Sequence, residues 1–354
     1  MFIMKRIKRV FTGAFVLGAF IFGLTEADAC TRVVYKGPNN TVITARSMDW
    51  KEEIMPNIWV FPRGMERNGE VGQASIKWKS KYGSVITSAF DIATTDGMNE
   101  KGLVANILWL VESQYPEYNP DGKDKGISLA AWAQYVLDNY ADVNEAVTDL
   151  QKNPLIVVTA NTPGRTSLAT VHLTISDAKG DNAIFEFIDG KLKIYHDPSY
   201  TVVANSPTYD KQLAIRDYWN YLPGNKVLPG TGRSEDRFAR ASYYAKAVEQ
   251  SDDEKVSIGA AFSIIRNVSV PYGVHIDGEP NLSSTKWRTV SDQKNLVYYY
   301  EDPIALTPMW LDLKSIDFSD KSGVRKLDVS KKQQYAGLVN NKLEKAKAFQ
   351  FMGI

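Results

Sequence analysis

From Thr31 to Leu110 the chain offers β-rich stretches too short for anything but a sheet, and that run constrains the fold most. Thr31–Tyr35 is β-branched and aromatic, Lys36-Gly37-Pro38-Asn39-Asn40 is turn chemistry, and Thr41–Ala45 returns as a strand. Further strand candidates follow at Asn57–Phe61, Ser75–Lys79, Tyr82–Phe90 and Leu103–Leu110. Helical periodicity enters only at Ile127–Tyr140, through Leu129, Trp132, Ala133, Val136 and Leu137. Asp142, with Glu145 three residues later, predicts the capped start of a second helix.

Strands resume at Leu168–Ser176, Ala183–Ile188 and Lys191–Tyr195, with Asp189-Gly190 as a tight hairpin turn, and Val202–Ala204 leads on from them. Asn205-Ser206-Pro207 then predicts a helix entry, with Ser206 as its cap and Pro207 at the first helical position. Ser234 predicts the cap of a helix reaching about Val248, and a short helix is expected near Ile258–Ile265. Trp287–Ser291 and Asn295–Tyr300 read as a late hairpin. Strands, then helices, then strands again imply an α+β fold with antiparallel sheets rather than βαβ units.

The chain's single cysteine, Cys30, stands at the head of this run. Before it come a basic segment (Lys5, Arg6, Lys8, Arg9), an apolar run from Val10 to Leu24, and the small-x-small triplet Ala27-Asp28-Ala29. That order reads as a secretory signal peptide cleaved after Ala29, with an apolar run too short for a good membrane span. The expected division is therefore a signal peptide over 1–29 and one domain over 30–354, exported to the periplasm or beyond. Cleavage would give Cys30 a free α-amine beside its own thiol. An N-terminal amine is a recognised activator of such a nucleophile, and its ordinary pKa of ~7.7–8.0 leaves a useful unprotonated fraction near neutrality. The alternative is a lipid anchor on Cys30 of a non-catalytic secreted binding protein, with tryptophans as its ligand platform. A lipidation signal would place an aliphatic residue such as Leu three before the cysteine, where this chain has Ala27, followed by acidic Asp28. No disulfide can form within the chain, and an exported protein with one leftover cysteine is flagged for intermolecular pairing or reactivity.

Composition excludes other chemistries. A net charge of +1 gives no support to a nucleic-acid partner, and 44% hydrophobic residues suffice for a sizeable core. The three histidines, His172, His196 and His275, are dispersed, which disfavours a metal site. No phosphate loop, dinucleotide fingerprint, HExxH, CxxC or G-x-S-x-G motif is present. No cofactor or metal is expected. The 8 Trp and 18 Tyr exceed what a core needs and fit ligand pockets or interfaces.

Cys30-Thr31-Arg32 followed by Arg46-Ser47-Met48-Asp49-Trp50 resembles the start of the choloylglycine hydrolase family, which groups bile salt hydrolases with penicillin V acylases. The similarity continues through Asp96-Gly97-Met98-Asn99-Glu100-Lys101-Gly102-Leu103 and Asn205-Ser206-Pro207. Leu228-Pro229-Gly230 with Ser234 to Arg240, and Val290-Ser291-Asp292-Gln293, extend it over nearly the whole mature chain. The resemblance implies the N-terminal-nucleophile hydrolase fold, a four-layer αββα sandwich of two antiparallel sheets, and a homotetramer. It implies Cys30 as nucleophile, Arg46 close to the thiol, Asp49 holding the α-amine, Asn205 as an oxyanion donor and Arg237 as a second arginine of the site. Many bile salt hydrolases carry Asn where this chain has Trp109, so a backbone N–H near Trp109 would supply the second oxyanion donor. Trp50 and Trp109 together resemble the Gram-negative branch, whose members hydrolyse phenoxyacetyl penicillins or long-chain acyl-homoserine lactones. Two indoles are expected to form a flat slot sandwiching a phenoxy ring or acyl chain of a small-molecule amide. Conjugated bile salts are the alternative substrate, with no membrane partner once the leader is removed.

Overall fold

The computed structural model describes residues 30–354 except Arg165, Asn225, 275–282 and 331–334. The expected signal peptide and His275 lie outside the described residues. Two large sheets dominate. The first has the order Val202–Ala204, Thr31–Gly37, Thr41–Asp49, Thr285–Asp292, Val297–Glu301, Met309–Asp312, Gly337–Leu338. Only its last pair is parallel. The second is antiparallel, in the order Lys191–His196, Asn182–Ile188, Val171–Ser176, Val104–Trp109, Ala93–Asn99, Ser84–Ala89, Asn57–Phe61, Arg325–Leu327, Glu344–Lys345.

Helices α1 (Leu129–Asn139) and α2 (Val143–Lys152) pack on the second sheet. Helices α4 (Ser234–Ala247) and α5 (Glu254–Asn267) pack on the first, with α3 (Tyr209–Asn220) against α4. The result is the four-layer αββα sandwich. Gly97 permits the close seating of α1, since a Cβ there would lie 2.6 Å from Ile86 Cγ2 and 2.9 Å from Leu137 Cδ1. Between the sheets, Asp96 of the second accepts from Thr289 (2.7 Å) and Tyr298 of the first. Burial raises its carboxyl pKa despite those bonds and the opposing Arg46.

Several expectations hold and several shift. Asn57–Phe61 is a strand with the bounds read from sequence, and Val202–Ala204, the lead into Asn205, is a strand as well. The left-handed Asn39 and Asn40 close the first hairpin, and Asp189-Gly190 closes another, again at positive φ. Asp142 caps α2 by accepting from Glu145 N at 2.9 Å, while Glu145 reaches back to Ala141 N. Ser206, by contrast, does not cap α3. Its hydroxyl donates to Glu112 (2.7 Å) and accepts from Val111 N, the Ser206–Pro207 bond is cis, and the helix opens only after Thr208. Ser234 is the first residue of α4, with Arg233 at the cap position. Helix α5 is longer at both ends than Ile258–Ile265 because Asp253 caps it, accepting from Lys255 N and Val256 N.

Candidate active site

The site grows from one hairpin. Thr31 pairs with Ser47 on one side and Ala204 on the other, so Cys30, one residue earlier, lies beside Met48 and Asn205. Side chains alternate across a strand. Arg32, Arg46 and Met48 therefore share one face with Cys30, toward the second sheet, where Arg32 donates to Asn182 and Arg46 to Ile107 O. Thr31, Ser47 and Asp49 take the other face, toward the helices.

On the inter-sheet face, Cys30 is 3% exposed. Its Sγ lies 3.6 Å from Arg46 Nη2, 3.6 Å from Met48 Sδ and 4.0 Å from Asp49 O. Arg46 is held by Ile107 O (2.9 Å) and Met48 Sδ (3.1 Å), while its Nε and Nη1 are buried without hydrogen-bond partners among the described residues. Burial pushes the Cys30 thiol up from its ordinary value; the Arg46 cation opposes this, Asp49 adds to it, and Arg237 opposes it more weakly. Desolvation is the largest of these influences, so burial favours the neutral thiol over the thiolate.

On the helix-side face, Arg237 of α4 donates from Nη1 to Asp49 Oδ2 (2.8 Å) and Thr31 Oγ1 (2.7 Å), and from Nε to Gly232 O (2.9 Å). Asp49 also accepts from Ser47 (3.2 Å) and Thr285 (2.5 Å). Burial raises the Asp49 carboxyl pKa, and the guanidinium of Arg237 is the main opposing influence.

Asn205 closes the third side. Its Oδ1 accepts from Cys30 N at 2.9 Å, and its buried Nδ2 has no hydrogen-bond partner among the described residues. Its backbone is clamped by Gln212 of α3, which donates to Ala204 O, Asn205 O and Pro207 O and accepts from Ala204 N. Sequence reasoning missed Gln212; it is fully buried, and the only signal in the sequence was a Gln seven residues after the Asn of an Asn-Ser-Pro turn.

A second donor follows from ladder geometry. Leu110 N donates to Thr170 O, and hydrogen-bonded pairs alternate along an antiparallel ladder. Trp109, opposite Val171, therefore turns its N–H away from that strand, to the same side as the Ile107 O that receives Arg46. The neighbouring Ala93–Asn99 strand stops pairing at Asn106, so it gives Trp109 no ladder partner on that edge, and Trp109 and Cys30 line the same cavity.

A cavity of about 110 Å³ adjoins the thiol. Trp50 and Trp109 line it, but not as parallel walls: their ring centroids are 5.3 Å apart at 66°, edge to face. A sandwich between them is excluded, because nothing fits between indoles already in contact. The expected flat slot is instead a single aromatic corner, completed by Ile92, Leu129, Thr162 and Met352, none of which sequence reasoning had placed in the site. Among the described residues no cluster of His, Cys, Asp and Glu could hold a metal ion, and no helix is long and apolar enough to cross a membrane.

The pattern of linear amide C–N hydrolases, choloylglycine hydrolase family, matches residues 30–322. The chain belongs to that family. It is 47% identical over 372 aligned positions to penicillin V acylase from Pectobacterium atrosepticum, spanning 99% of each chain. It also superposes on penicillin V acylase from Agrobacterium tumefaciens with a TM-score of 0.86 and 54% identity, over 92% of this chain and 100% of that one. Conjugated bile acid hydrolase from Clostridium perfringens shares the fold, with a TM-score of 0.74 and 21% identity over 87% of this chain and 98% of that one. This chain is thus a choloylglycine-family hydrolase acting on C–N bonds in linear amides, of the penicillin V acylase-like branch.

Proposed function

We propose that the chain is an exported penicillin V acylase-type amidase that works through a Cys30 thioester. Removal of 1–29 turns Cys30 N into the α-amine. Sγ attacks the amide carbonyl as the thiol proton passes to that amine, and the tetrahedral oxyanion is received by Asn205 Nδ2 and the Trp109 backbone N–H. The C–N bond then breaks, the ammonium proton goes to the leaving amine, and the thioester remains. Water, deprotonated by the α-amine, attacks the thioester; the carboxylic acid leaves and the thiol is restored.

The permanent cation of Arg46 offsets part of the burial penalty on the developing thiolate. The ion pair of Asp49 with Arg237 fixes Thr31, the residue after Cys30, while the bond on Cys30 N itself goes to Asn205 Oδ1. The observation that carries the reading is the buried, unpartnered Asn205 Nδ2 on the residue that already holds Cys30 N. A buried donor left idle is costly unless a ligand uses it.

The apolar lining favours a phenoxyacetyl or alkyl acyl group, which extends the reading to long-chain acyl-homoserine lactones. A cavity of about 110 Å³ gives a rigid steroid amide little room. Kinetics of the purified mature protein on penicillin V, a long-chain acyl-homoserine lactone and glycocholate test the order. Penicillin V is expected to give the highest kcat/KM, with an acyl-enzyme adduct on Cys30 in quenched mass spectra; glycocholate as best substrate would overturn the reading.

A further inference from the structure

The acyl cavity has a wall that comes from far outside the catalytic hairpin. Met352 lines it together with Ile92 and Ala93 of one strand entry and Leu129 and Ala130 of the α1 entry. The tail is bonded to both neighbours: Met352 N donates to Ile92 O at 2.8 Å, and Met352 O accepts from Ser128 Oγ. Ser128 is itself the N-cap of α1, accepting from Ala130 N.

Around Met352 the segment is pinned by contacts that do not involve the cavity. Phe349 packs edge to face on Trp59 (5.2 Å) and Phe61 (5.6 Å), and Phe351 on Phe349 (5.4 Å). The Arg67 guanidinium lies 4.3 Å from the Phe61 ring and 5.5 Å from the Phe351 ring. Beyond it, a Cβ on Gly353 would sit 2.3 Å from Glu70 O. The anchors and the cavity-facing residue are thus separate side chains on one short strap, and Met352 alone of them reaches the cavity.

We propose that Met352 is a specificity-determining residue that sets the room left for the acyl group, a deepening that rests on the amidase reading above. Met is unbranched and adaptable, so it closes an irregular apolar wall and yields to aryl or alkyl groups of different width. Because the strap is held by backbone bonds and by Phe349 and Phe351, changing the Met352 side chain changes the room without releasing the wall.

The test uses the mature enzyme and acyl amides of 6-aminopenicillanic acid from hexanoyl to tetradecanoyl, so that the leaving amine is constant. Each further buried methylene is worth roughly fourfold in kcat/KM. Met352→Ala removes three heavy atoms and is expected to move the optimum about two or three carbons longer, with at least ~tenfold gain for the longest chain relative to hexanoyl. Met352→Trp should move the optimum the other way, and Met352→Leu should keep the wild-type profile. Affinities of the matching free carboxylic acids for Cys30→Ala carrying the same substitutions read the room without turnover. Acid affinities that follow Met352 in the Cys30→Ala background, while the mature enzyme with Cys30 intact cleaves none of the acyl amides, would support the wall while sinking the amidase reading. Superimposable chain-length profiles in wild type and Met352→Ala, or a uniform loss on every acyl group, would overturn the wall.

Discussion

The two faces of the Thr31–Gly37 and Thr41–Asp49 strand pair solve opposite problems. The helix-side face is closed: Asp49 accepts from three side chains, and one of them, Arg237, also bonds Thr31 and Gly232. The inter-sheet face is left open, with Arg46 Nε and Nη1 and Asn205 Nδ2 buried and unpartnered among the described residues, around a thiol that burial keeps neutral. The ion pair and hydroxyl bonds on one face tie the hairpin to α4 and to the Thr285–Asp292 strand, and that anchoring is what allows idle donors to stay aimed on the other. Preorganised donors act mainly when charge develops in the transition state. The closed face should therefore govern stability and the open face turnover.

Breaking the closed face should have the largest effect. Arg237→Met strands the Asp49 carboxylate in a 0% exposed site, and removing one partner of a buried pair costs about 3–5 kcal/mol. Denaturant melts should register that loss, together with loss of activity; an unchanged midpoint would dissolve the distinction between the faces. Asn205→Ala should instead lower kcat by about 2.7–4 kcal/mol equivalent, with KM moving less. Its melt should shift far less than that of Arg237→Met. A KM effect alone would assign Asn205 to ground-state binding.

How much of this was legible in the sequence differs between the faces as well. The open face follows from local order: a hairpin between Cys30 and Asp49 returns Arg46 and Met48 beside the cysteine by register alone. The partners of the closed face come from α4 and from the Thr285–Asp292 strand, and no periodicity announces that Arg237 meets Asp49; the family resemblance put both residues in the site without pairing them. Ser206 misled for a physical reason, because Glu112 took the hydroxyl that helix chemistry would have used as a cap. The cavity wall was invisible because Ile92, Leu129, Thr162 and Met352 converge from separate stretches of chain.

Smaller effects sharpen the comparison. Trp109→Ala removes half of the aromatic corner and should reduce kcat/KM for penicillin V by about tenfold, equivalent to ~1.4 kcal/mol. Equal losses on short aliphatic acyl amides would make Trp109 a core residue instead. Smallest should be a displacement in pH. Because burial raises the Cys30 pKa, the thiolate fraction is lower than ordinary at every pH below that raised value. Alkylation by iodoacetamide should be slow at neutrality and still climbing past pH ~8.5, the ordinary thiol value. A plateau below that pH would mean that Arg46 outweighs burial.

The central claim is that Cys30 supplies both nucleophile and base, and it is tested most directly by withholding the free amine. A cytoplasmic form in which Met-Ala precedes Cys30 and is retained, as verified by intact mass, keeps every residue of the site but converts the α-amine into an amide. The account predicts a folded protein with the wild-type melt and no measurable penicillin V hydrolysis, and activity restored when the two residues are removed by an aminopeptidase. Full turnover by the extended form would contradict it.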